Sequence, residues 1–223
     1  MLTIIPEVLD AAQLQTVQSL VEMGNFKDGR LSAGHLAQRV KNNEEMSNPN
    51  VIEKLNSIVM ARLVQHTLFQ AVAHPVRVAS AFYARYTSEM SYGDHVDDPV
   101  MGPPGGQYRS DLSATVFLNA PDEYEGGELT INTSFKPHKI KLNAGDAVIY
   151  PSSSLHRVTP ISRGTRLVAV TWIQSMIREP DRRELLYQLY QTREKLLAKN
   201  PACENAAQLD HAYINLVRMW AEV

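Results

Sequence analysis

A succession of short, strand-like runs occupies residues 75–178 and limits the folds that are open to this chain. Each run is rich in β-branched and aromatic residues, and turn-forming segments such as PPGG, DEYEGG and NAGD separate one run from the next. No long helical segment lies between the runs, which argues against a doubly wound parallel sheet. Short strands at this spacing are typical of a β-sandwich or a β-barrel.

Two helical patterns precede the strands. Asp10 and Gln13 form a capping box in front of an apolar stripe of helical spacing. Asn48 and the proline after it mark the start of a second helix. We expect that helix to run to about His66, where a cationic imidazole would suit the helix C-terminus. The polar stretch between the two helices is expected to be a loop with a short strand around residues 36–40.

Two further helical patterns follow the strands. The first opens at Glu179 and ends at Asn200, and a proline follows each of these residues. The second is expected to start at Asn205, which forms a capping-box pair with Gln208. We expect the two helices to form a hairpin that packs on the β domain. Self-association into a homodimer is the alternative use of this surface.

These patterns together predict a mainly β protein with flanking helices, of the α+β class. A chain of 223 residues suits one large domain with a modest appendage. The predicted main domain covers residues 1–178, with a β core at about residues 75–178. A C-terminal helical extension covers residues 179–223.

The composition excludes several classes of protein. The chain is 44% hydrophobic and 21% charged, as ordinary globular proteins are. A formal net charge of -2 gives no basic footprint, so we predict no nucleic-acid partner. No run approaches the ~20 apolar residues of a membrane span, and the first residues show no cationic leader pattern, so no membrane association is expected. The single cysteine, Cys203, excludes an intrachain disulfide and makes the cytoplasm the expected compartment.

The polar pattern with the clearest chemistry is His95-Val96-Asp97. Alternate side chains of an extended strand point to the same face, so the imidazole and the carboxylate project together. A second imidazole would complete a triad of two histidines and one carboxylate, which leaves coordination positions open on Fe(II). His156 is the candidate, because a double-stranded jelly roll places an early strand beside a late one. A His-x-Asp triplet alone more often marks a surface strand or turn.

Arg166 stands ten residues after His156, at the start of the run RLVAVTWI. In a strand its side chain shares a face with Val168, Val170 and Trp172. A guanidinium on an otherwise apolar face is costly unless it is paired. Two partners remain open: a bound carboxylate, which the planar guanidinium binds through two hydrogen bonds, or an Asp or Glu in a salt bridge at the rim.

Other ionisable side chains are left out of the predicted site. His35 is interpreted as a solvated loop residue, and His138 as a surface residue of an outward hairpin. His211 is expected to be exposed on the C-terminal helix. Asp98 is excluded because neighbouring residues of a strand point to opposite faces.

The loop from Asp98 to Asp111 follows the His-x-Asp triplet and is rich in proline and glycine. Its position predicts a lid over a substrate. Tyr108 and Arg109 could meet the substrate there, although an ordinary solvated loop is the alternative.

Three stretches carry a family resemblance: YTSEMSYGDHVD, RSDLSATVFLNAPDEYEGGEL and AGDAVIYPSSSLHRVTPISRGTR. They resemble the Fe(II)- and 2-oxoglutarate-dependent dioxygenases of the prolyl-4-hydroxylase-like superfamily over roughly residues 75–178. Within that superfamily the chain is similar to the bacterial PKHD-type hydroxylases, a group associated with iron-uptake loci. The pattern of this smaller group, including WIQSMIR and the C-terminal helices, extends over nearly the whole chain.

The resemblance implies roles for individual residues. It implies iron ligands at His95, Asp97 and His156. It also implies that Arg166, where many prolyl hydroxylases carry lysine, and Tyr86 bind the distal carboxylate of 2-oxoglutarate.

The resemblance further implies Fe(II) as cofactor, 2-oxoglutarate and O2 as cosubstrates, and L-ascorbate as the reductant that restores Fe(II). The implied reaction couples oxidative decarboxylation of 2-oxoglutarate to succinate and CO2 with hydroxylation of a substrate. Ser113 falls near a position where relatives carry a hydroxyl, and no residue is assigned as a general base.

Two other functions remain open at this point. A non-catalytic sensor of iron or 2-oxoglutarate would use the same pocket to act on a protein partner. A cupin-type metalloenzyme would bind the metal without 2-oxoglutarate. The fold does not identify the substrate, which could be a small metabolite, an amino acid or a peptidyl residue.

Overall fold

Two antiparallel sheets form the centre of the molecule in a computed structural model that describes residues 1–34, 36–133 and 135–223. One sheet has eight strands and the other has five. Helices lie before and after the strands in the chain. The predicted mainly β core with flanking helices is therefore confirmed.

The larger sheet has the strand order β1-β14-β10-β17-β6-β4-β2, and β5 pairs with β17 beside this path. Its central strands bury side chains on both faces; every residue of β10 is buried. The strands, numbered in chain order, are β1 (Thr3–Ile5), β2 (Phe26–Asp28), β4 (Glu44–Met46), β5 (Pro75–Val78), β6 (Phe82–Tyr86), β10 (Leu112–Phe117), β14 (Ala147–Pro151) and β17 (Arg166–Ser175).

The smaller sheet has the order β13-β12-β15-β7-β3. Two further strand pairs lie outside both sheets: β8 with β9, and β11 with β16. The strands of the smaller sheet are β3 (Lys41–Asn42), β7 (Ser91–His95), β12 (Leu129–Asn132), β13 (Pro137–Ile140) and β15 (His156–Val158). The paired strands outside it are β8 (Val100–Met101), β9 (Tyr108–Arg109), β11 (Tyr124–Gly126) and β16 (Ile161–Gly164).

The helices and the two sheets enclose two apolar layers. The first layer lies between the N-terminal helices and the larger sheet, where Leu55 and Val59 pack in one cluster with Ala114 and Ile149. The second lies between the sheets and contains several aromatic rings. The helices are α1 (Ala11–Glu22), α2 (Pro49–Gln65), α3 (Thr67–Ala73), α4 (Pro180–Lys199) and α5 (Glu204–Trp220). Among the residues described, no helix combines the length and apolar character needed to cross a membrane.

The N-terminal part agrees with the sequence analysis except at one point. The capping box is present: Asp10 accepts a hydrogen bond from the Gln13 amide at 2.8 Å, and Gln13 accepts one from the Asp10 amide at 3.1 Å. The strand expected around residues 36–40 is wrong, because residues 37–39 form a 3-10 turn and the strand β3 begins only at Lys41. His35 lies outside the described residues.

His66 lies at the C-cap of α2, where that helix was expected to end. Its Nδ1 also accepts a hydrogen bond from the Leu68 amide at 3.2 Å, so the imidazole caps the start of α3.

The C-terminal helices form the expected hairpin, with one correction at its turn. The helix α5 starts at Glu204 with Cys203 at its N-cap, so Asn205 lies inside the helix and does not cap it. The side chain of Asn200 shapes the turn, since it accepts a hydrogen bond from the Ala202 amide at 3.1 Å. This places the N-cap two residues earlier than the capping-box pattern predicted.

A buried contact joins this hairpin to the rest of the chain at α3. Leu186 of α4 is fully buried, and the guanidinium of Arg183 donates hydrogen bonds to the carbonyls of Ile177 and Arg178 at 2.6 and 2.8 Å. His74, which ends α3 in a left-handed backbone conformation with φ of 43°, lies near this contact. Burial, with a smaller contribution from the charge of Arg183, lowers the pKa of His74 to about 4.

Protonation of His74 is therefore expected to oppose folding. A histidine in the unfolded chain binds a proton near pH 6.5, whereas the folded state resists protonation until about pH 4. The stability that this group contributes is present above pH 6.5 and is lost as the pH falls towards 4. Asparagine tolerates the left-handed backbone and does not titrate. Between pH 7 and pH 5, we expect the unfolding free energy of the wild type to fall by about 1–2 kcal/mol more than that of His74→Asn.

Urea unfolding of both proteins at the two pH values measures this difference. Equal losses of unfolding free energy in the wild type and in His74→Asn would show that His74 is not a neutral buried group.

Candidate active site

Adjacent strands of the smaller sheet bring the predicted triad together. The strands β7 and β15 pair antiparallel, and their register places His156 directly opposite His95. Asp97 follows the end of β7 by two residues. One ligand atom from each of these side chains lies within 4.8 Å of the others, which is a group that could hold a metal ion. The Nε2 of His156 is 3.9 Å from the Oδ1 of Asp97.

Backbone carbonyls orient both imidazole rings. The Nδ1 of His95 lies 2.8 Å from the carbonyl oxygen of Gly93, and the Nδ1 of His156 lies 2.9 Å from that of Ser154. An N–H at Nδ1 donates to each carbonyl, which leaves Nε2 with a free lone pair for a metal. Burial, followed by the proximity of His156, lowers the pKa of His95 to about 4, so its imidazole is neutral at pH 7.

Two buried hydroxyls orient the carboxylate. The Oγ of Ser113 donates to the Oδ2 of Asp97 at 2.5 Å, and it lies 2.7 Å from the Oγ of Ser152. Ser113 comes from the inward face of β10 and is completely buried. With Oδ2 engaged in this way, Oδ1 is directed towards the histidines. From the sequence, Ser113 was placed only near a position where relatives carry a hydroxyl, and Ser152 was not identified.

Arg166 lines an inner cavity of about 60 Å³ together with all three side chains of the triad. Only 1% of its surface is exposed, and its guanidinium carbon lies 5.1 Å from the ring centre of Tyr86 and 5.5 Å from that of Phe117. Its Nε and Nη1 have no hydrogen-bond partner among the described residues. The rim salt bridge considered as an alternative is therefore wrong, because Arg166 is buried and pairs with no described carboxylate.

Aromatic side chains surround this guanidinium. Tyr86 lies opposite Arg166 in the register of β6 and β17. Burial raises the pKa of Tyr86, and it raises that of Tyr150 further, so both phenols are neutral hydrogen-bonding groups at pH 7. Gly127 has a φ of +68°, and a Cβ there would lie 2.4 Å from Ile161 Cδ1 and 3.0 Å from Arg166 Cδ. A glycine is therefore required beside the arginine.

A larger outer cavity, of about 660 Å³, opens beside the triad and shares His95 and Asp97 with the inner cavity. The hairpin of β8 and β9 forms part of its wall, as expected for a lid. Tyr108 lies on this wall, but Arg109 does not. Arg109 is instead held by Asp111 at 2.6 Å and by Glu222 at 3.7 Å. Apolar and aromatic side chains on the wall include Val78, Phe82, Tyr92, Val100, Met101 and Trp172.

The ionisable residues that were left out of the predicted site do not belong to the triad. His138 is half-buried on β13, and His211 is exposed on α5. Asp98 is exposed on the wall of the outer cavity and is not part of the triad.

A buried ion pair that no sequence pattern indicated also lines the inner cavity. The Nζ of Lys41 lies 2.6 Å from the Oε1 of Glu45, and each side chain is only 8% exposed. These residues belong to strands of two and three residues, which are too short to show an alternating pattern in the sequence.

Comparison with known proteins places this arrangement in a family. Residues 81–174 match the 2OG-Fe(II) oxygenase superfamily, and residues 181–222 match the PKHD-type hydroxylase C-terminal domain. A PKHD-type hydroxylase of Thioalkalivibrio sulfidiphilus is 53% identical over 224 residues, and the match covers 100% of both chains. A second PKHD-type hydroxylase, from Nitrobacter winogradskyi, is 41% identical over 225 residues, again with 100% of both chains covered.

Solved structures share the fold at low sequence identity. A prolyl-4-hydroxylase of Pseudomonas putida superposes with a TM-score of 0.52 at 17% identity, covering 78% of this chain and 92% of that one. HygX of Streptomyces hygroscopicus, solved with nickel, 2-oxoglutarate and hygromycin B bound, gives 0.52 at 14% identity, covering 80% and 84%. From the full-length relatives and the two matching family models, the chain belongs to the PKHD-type hydroxylases, a family of Fe(II)- and 2-oxoglutarate-dependent dioxygenases.

Proposed function

We propose that His95, Asp97 and His156 hold the catalytic Fe(II), and that Arg166 and Tyr86 bind 2-oxoglutarate, for the hydroxylation of a substrate in the outer cavity. One observation supports this proposal most strongly: three potential metal ligands line the same inner cavity as a buried guanidinium that pairs with no carboxylate among the described residues. A metal site and an anion site of this kind suit a ligand that chelates a metal at one end and carries a carboxylate at the other.

The donor set fits Fe(II). Two neutral imidazoles and one carboxylate are the ligands of the facial triad of non-haem iron oxygenases, which leaves coordination positions for other ligands. Both Nδ1 atoms and the carboxylate Oδ2 are already engaged by the protein, so the three remaining atoms are held ready for the metal.

Arg166 fits the distal carboxylate of 2-oxoglutarate. A buried cation without an anion costs several kcal/mol, and a carboxylate ligand removes that cost by accepting charge-assisted hydrogen bonds. Tyr86 is a neutral phenol facing the same guanidinium and is placed to donate a further hydrogen bond. Bound there, Fe(II) would supply the chemistry that couples the oxidation of 2-oxoglutarate by O2 to succinate and CO2 with hydroxylation of the substrate.

The proposed substrate site is the outer cavity, and the substrate is unidentified. Its wall joins aromatic and aliphatic side chains to the exposed charges of Arg77 and Asp98, so it suits a substrate with apolar and polar parts. The hairpin of β8 and β9 would cover that substrate and exclude water. A link to iron uptake is part of the proposal and rests on the family resemblance alone.

Further parts of the proposal concern the setting of the enzyme. L-ascorbate is the proposed reductant that restores Fe(II), and no protein group is assigned as a general base. Residues 1–178 are the proposed dioxygenase domain and residues 179–223 a helical extension. The cytoplasm is the proposed compartment, in keeping with a single thiol and no disulfide among the described residues.

The helical extension favours an alternative function. Its apolar side chains Leu185, Ile214 and Met219 are exposed by 44%, 44% and 74%. A non-catalytic sensor of iron or 2-oxoglutarate would present this surface to a protein partner, and a homodimer would bury it between two copies. A sensor would bind both ligands without producing succinate.

Turnover separates these functions. Purified protein with Fe(II), ascorbate, O2 and 2-oxoglutarate is expected to release succinate slowly even without substrate. Loss of a residue that supports a metal ligand typically costs roughly 10–100-fold in activity. Loss of a ligand itself is expected to cost more, and this applies to His95→Ala, Asp97→Ala and His156→Ala. His138→Ala, which changes a histidine outside the triad, is the control and should keep the wild-type rate. Succinate production retained in all three triad variants would rule out the proposed iron site.

Arg166 is tested by the affinity for 2-oxoglutarate. Arg166→Gln removes the charge-assisted hydrogen bonds and is expected to raise the Kd of 2-oxoglutarate by roughly 10–100-fold. Arg166→Lys keeps the charge and should lose less. The matched control is Arg163→Gln, an exposed arginine that pairs with Glu125 on the surface. Calorimetric titration of the metal-loaded protein gives the Kd values, and an unchanged Kd in Arg166→Gln would show that Arg166 does not bind 2-oxoglutarate.

A further inference from the structure

A segment from outside the superfamily-matched core lies against the proposed metal centre. We name the described residues 29–34 and 36–46 the strap; they precede the match to residues 81–174. Its strand β3 forms the edge of the smaller sheet and pairs with β7, the strand that carries His95. In this register Lys41 lies directly opposite Tyr92.

The strap fixes the backbone that orients His95. The carbonyl of Val40 accepts a hydrogen bond from the Gly93 amide at 2.9 Å, and the carbonyl of Gly93 lies 2.8 Å from the Nδ1 of His95. A Cβ on Gly93 would lie 2.8 Å from the Cβ of Val40, so only glycine permits this approach of the two strands. One residue, Gly93, thus connects the strap to the histidine ring through its N–H on one side and its carbonyl on the other.

The ring of Tyr92 forms a second connection. It stacks on the imidazole of His95 with a centroid distance of 3.6 Å and an interplanar angle of 11°. On the strap, the Nζ of Lys41 lies 5.3 Å from the centre of the same tyrosine ring. A cation within about 6 Å of an aromatic ring is attracted to it, so the lysine and the histidine both interact with the tyrosine ring.

Lys41 itself is held rigidly. Its Nζ donates to Glu45 at 2.6 Å and to the Oγ of Ser32 at 2.9 Å, and all these partners belong to the strap. A buried ion pair is often no more stabilising than apolar side chains of similar size. Stability alone therefore does not explain its place beside the metal centre, whereas fixing the position of a cation does.

We propose that Tyr92 is a positioning residue for the metal centre, and that the Lys41–Glu45 pair of the strap holds it against His95. The stack restricts rotation of the imidazole, and the Gly93 carbonyl fixes its tautomer, so that Nε2 stays directed at the metal. This inference rests on the proposed ligand set, because it assigns a role in supporting one of those ligands.

Titration of the apo-protein with Co(II) alone tests the inference, because Co(II) reports its coordination through visible absorption bands. Tyr92→Leu removes the ring and is expected to weaken Co(II) binding by roughly 10-fold or more, as loss of an outer metal-site partner does, and to change the absorption bands. Tyr92→Phe keeps the stack and should restore both affinity and spectrum. Tyr83→Leu is the control, since it makes the same change at a buried tyrosine of the other apolar layer, where Tyr83 contacts Asn56.

A double variant tests the strap without leaving a buried charge unpaired. Lys41→Met with Glu45→Leu is expected to fold and to bind Co(II) more weakly than the wild type, with the same spectral change as Tyr92→Leu. Wild-type Co(II) affinity in this double variant would overturn the role of the strap. Wild-type affinity in Tyr92→Leu, or an equal loss in Tyr83→Leu, would overturn the role of Tyr92.

His156→Ala distinguishes a failure of this inference from a failure of the proposed function. If the wild type binds Co(II) and His156→Ala does not, the ligand set stands, and the Tyr92 and strap variants then decide the inference. If His156→Ala binds Co(II) as the wild type does, the proposed ligand set fails and the inference fails with it.

Discussion

The pairing of β7 with β15 is the interaction on which the proposed site depends. It sets His95 and His156 opposite each other on neighbouring strands, at a distance that the sheet backbone fixes. Asp97 then needs only two further residues of chain to reach the same point. Because side chains in a strand alternate between faces, a slip of one residue in either strand would move a histidine to the other face of the sheet. The proposed metal centre is thus a consequence of strand register.

The apolar layers explain why this register is stable and why the charges inside are tolerated. The strand β10 is buried on both faces: Leu112, Ala114 and Val116 face the helices, while Ser113 faces the triad. The helices therefore shield the larger sheet and free its inner face for polar groups. Arg166 is surrounded there by aromatic rings, which attract its charge but offer it no carboxylate. An anionic cosubstrate in the cavity would therefore give Arg166 the carboxylate partner that the described residues do not provide.

Much of this arrangement could be predicted from sequence. The run of short strands predicted the β core, and the jelly-roll pairing of early and late strands predicted that His156 would meet His95. Residues whose roles depend on contacts between distant segments were missed. Lys41 and Glu45 lie in strands too short to show a period, and the hydrogen bond between Ser113 and Asp97 joins two segments whose packing no local pattern encodes. Substrate contact was one of two roles considered for Arg109, but Asp111 and Glu222 hold this side chain away from the outer cavity.

The central claim is that one cavity holds both the metal and 2-oxoglutarate. Fe(II) with chelated 2-oxoglutarate has a visible metal-to-ligand charge-transfer band, which can be recorded without O2 and without a substrate. Anaerobic addition of Fe(II) and 2-oxoglutarate to the wild type should produce that band, and the same addition to His156→Ala should not. Iron binding without the band in the wild type would contradict the claim, because 2-oxoglutarate would then not chelate the metal.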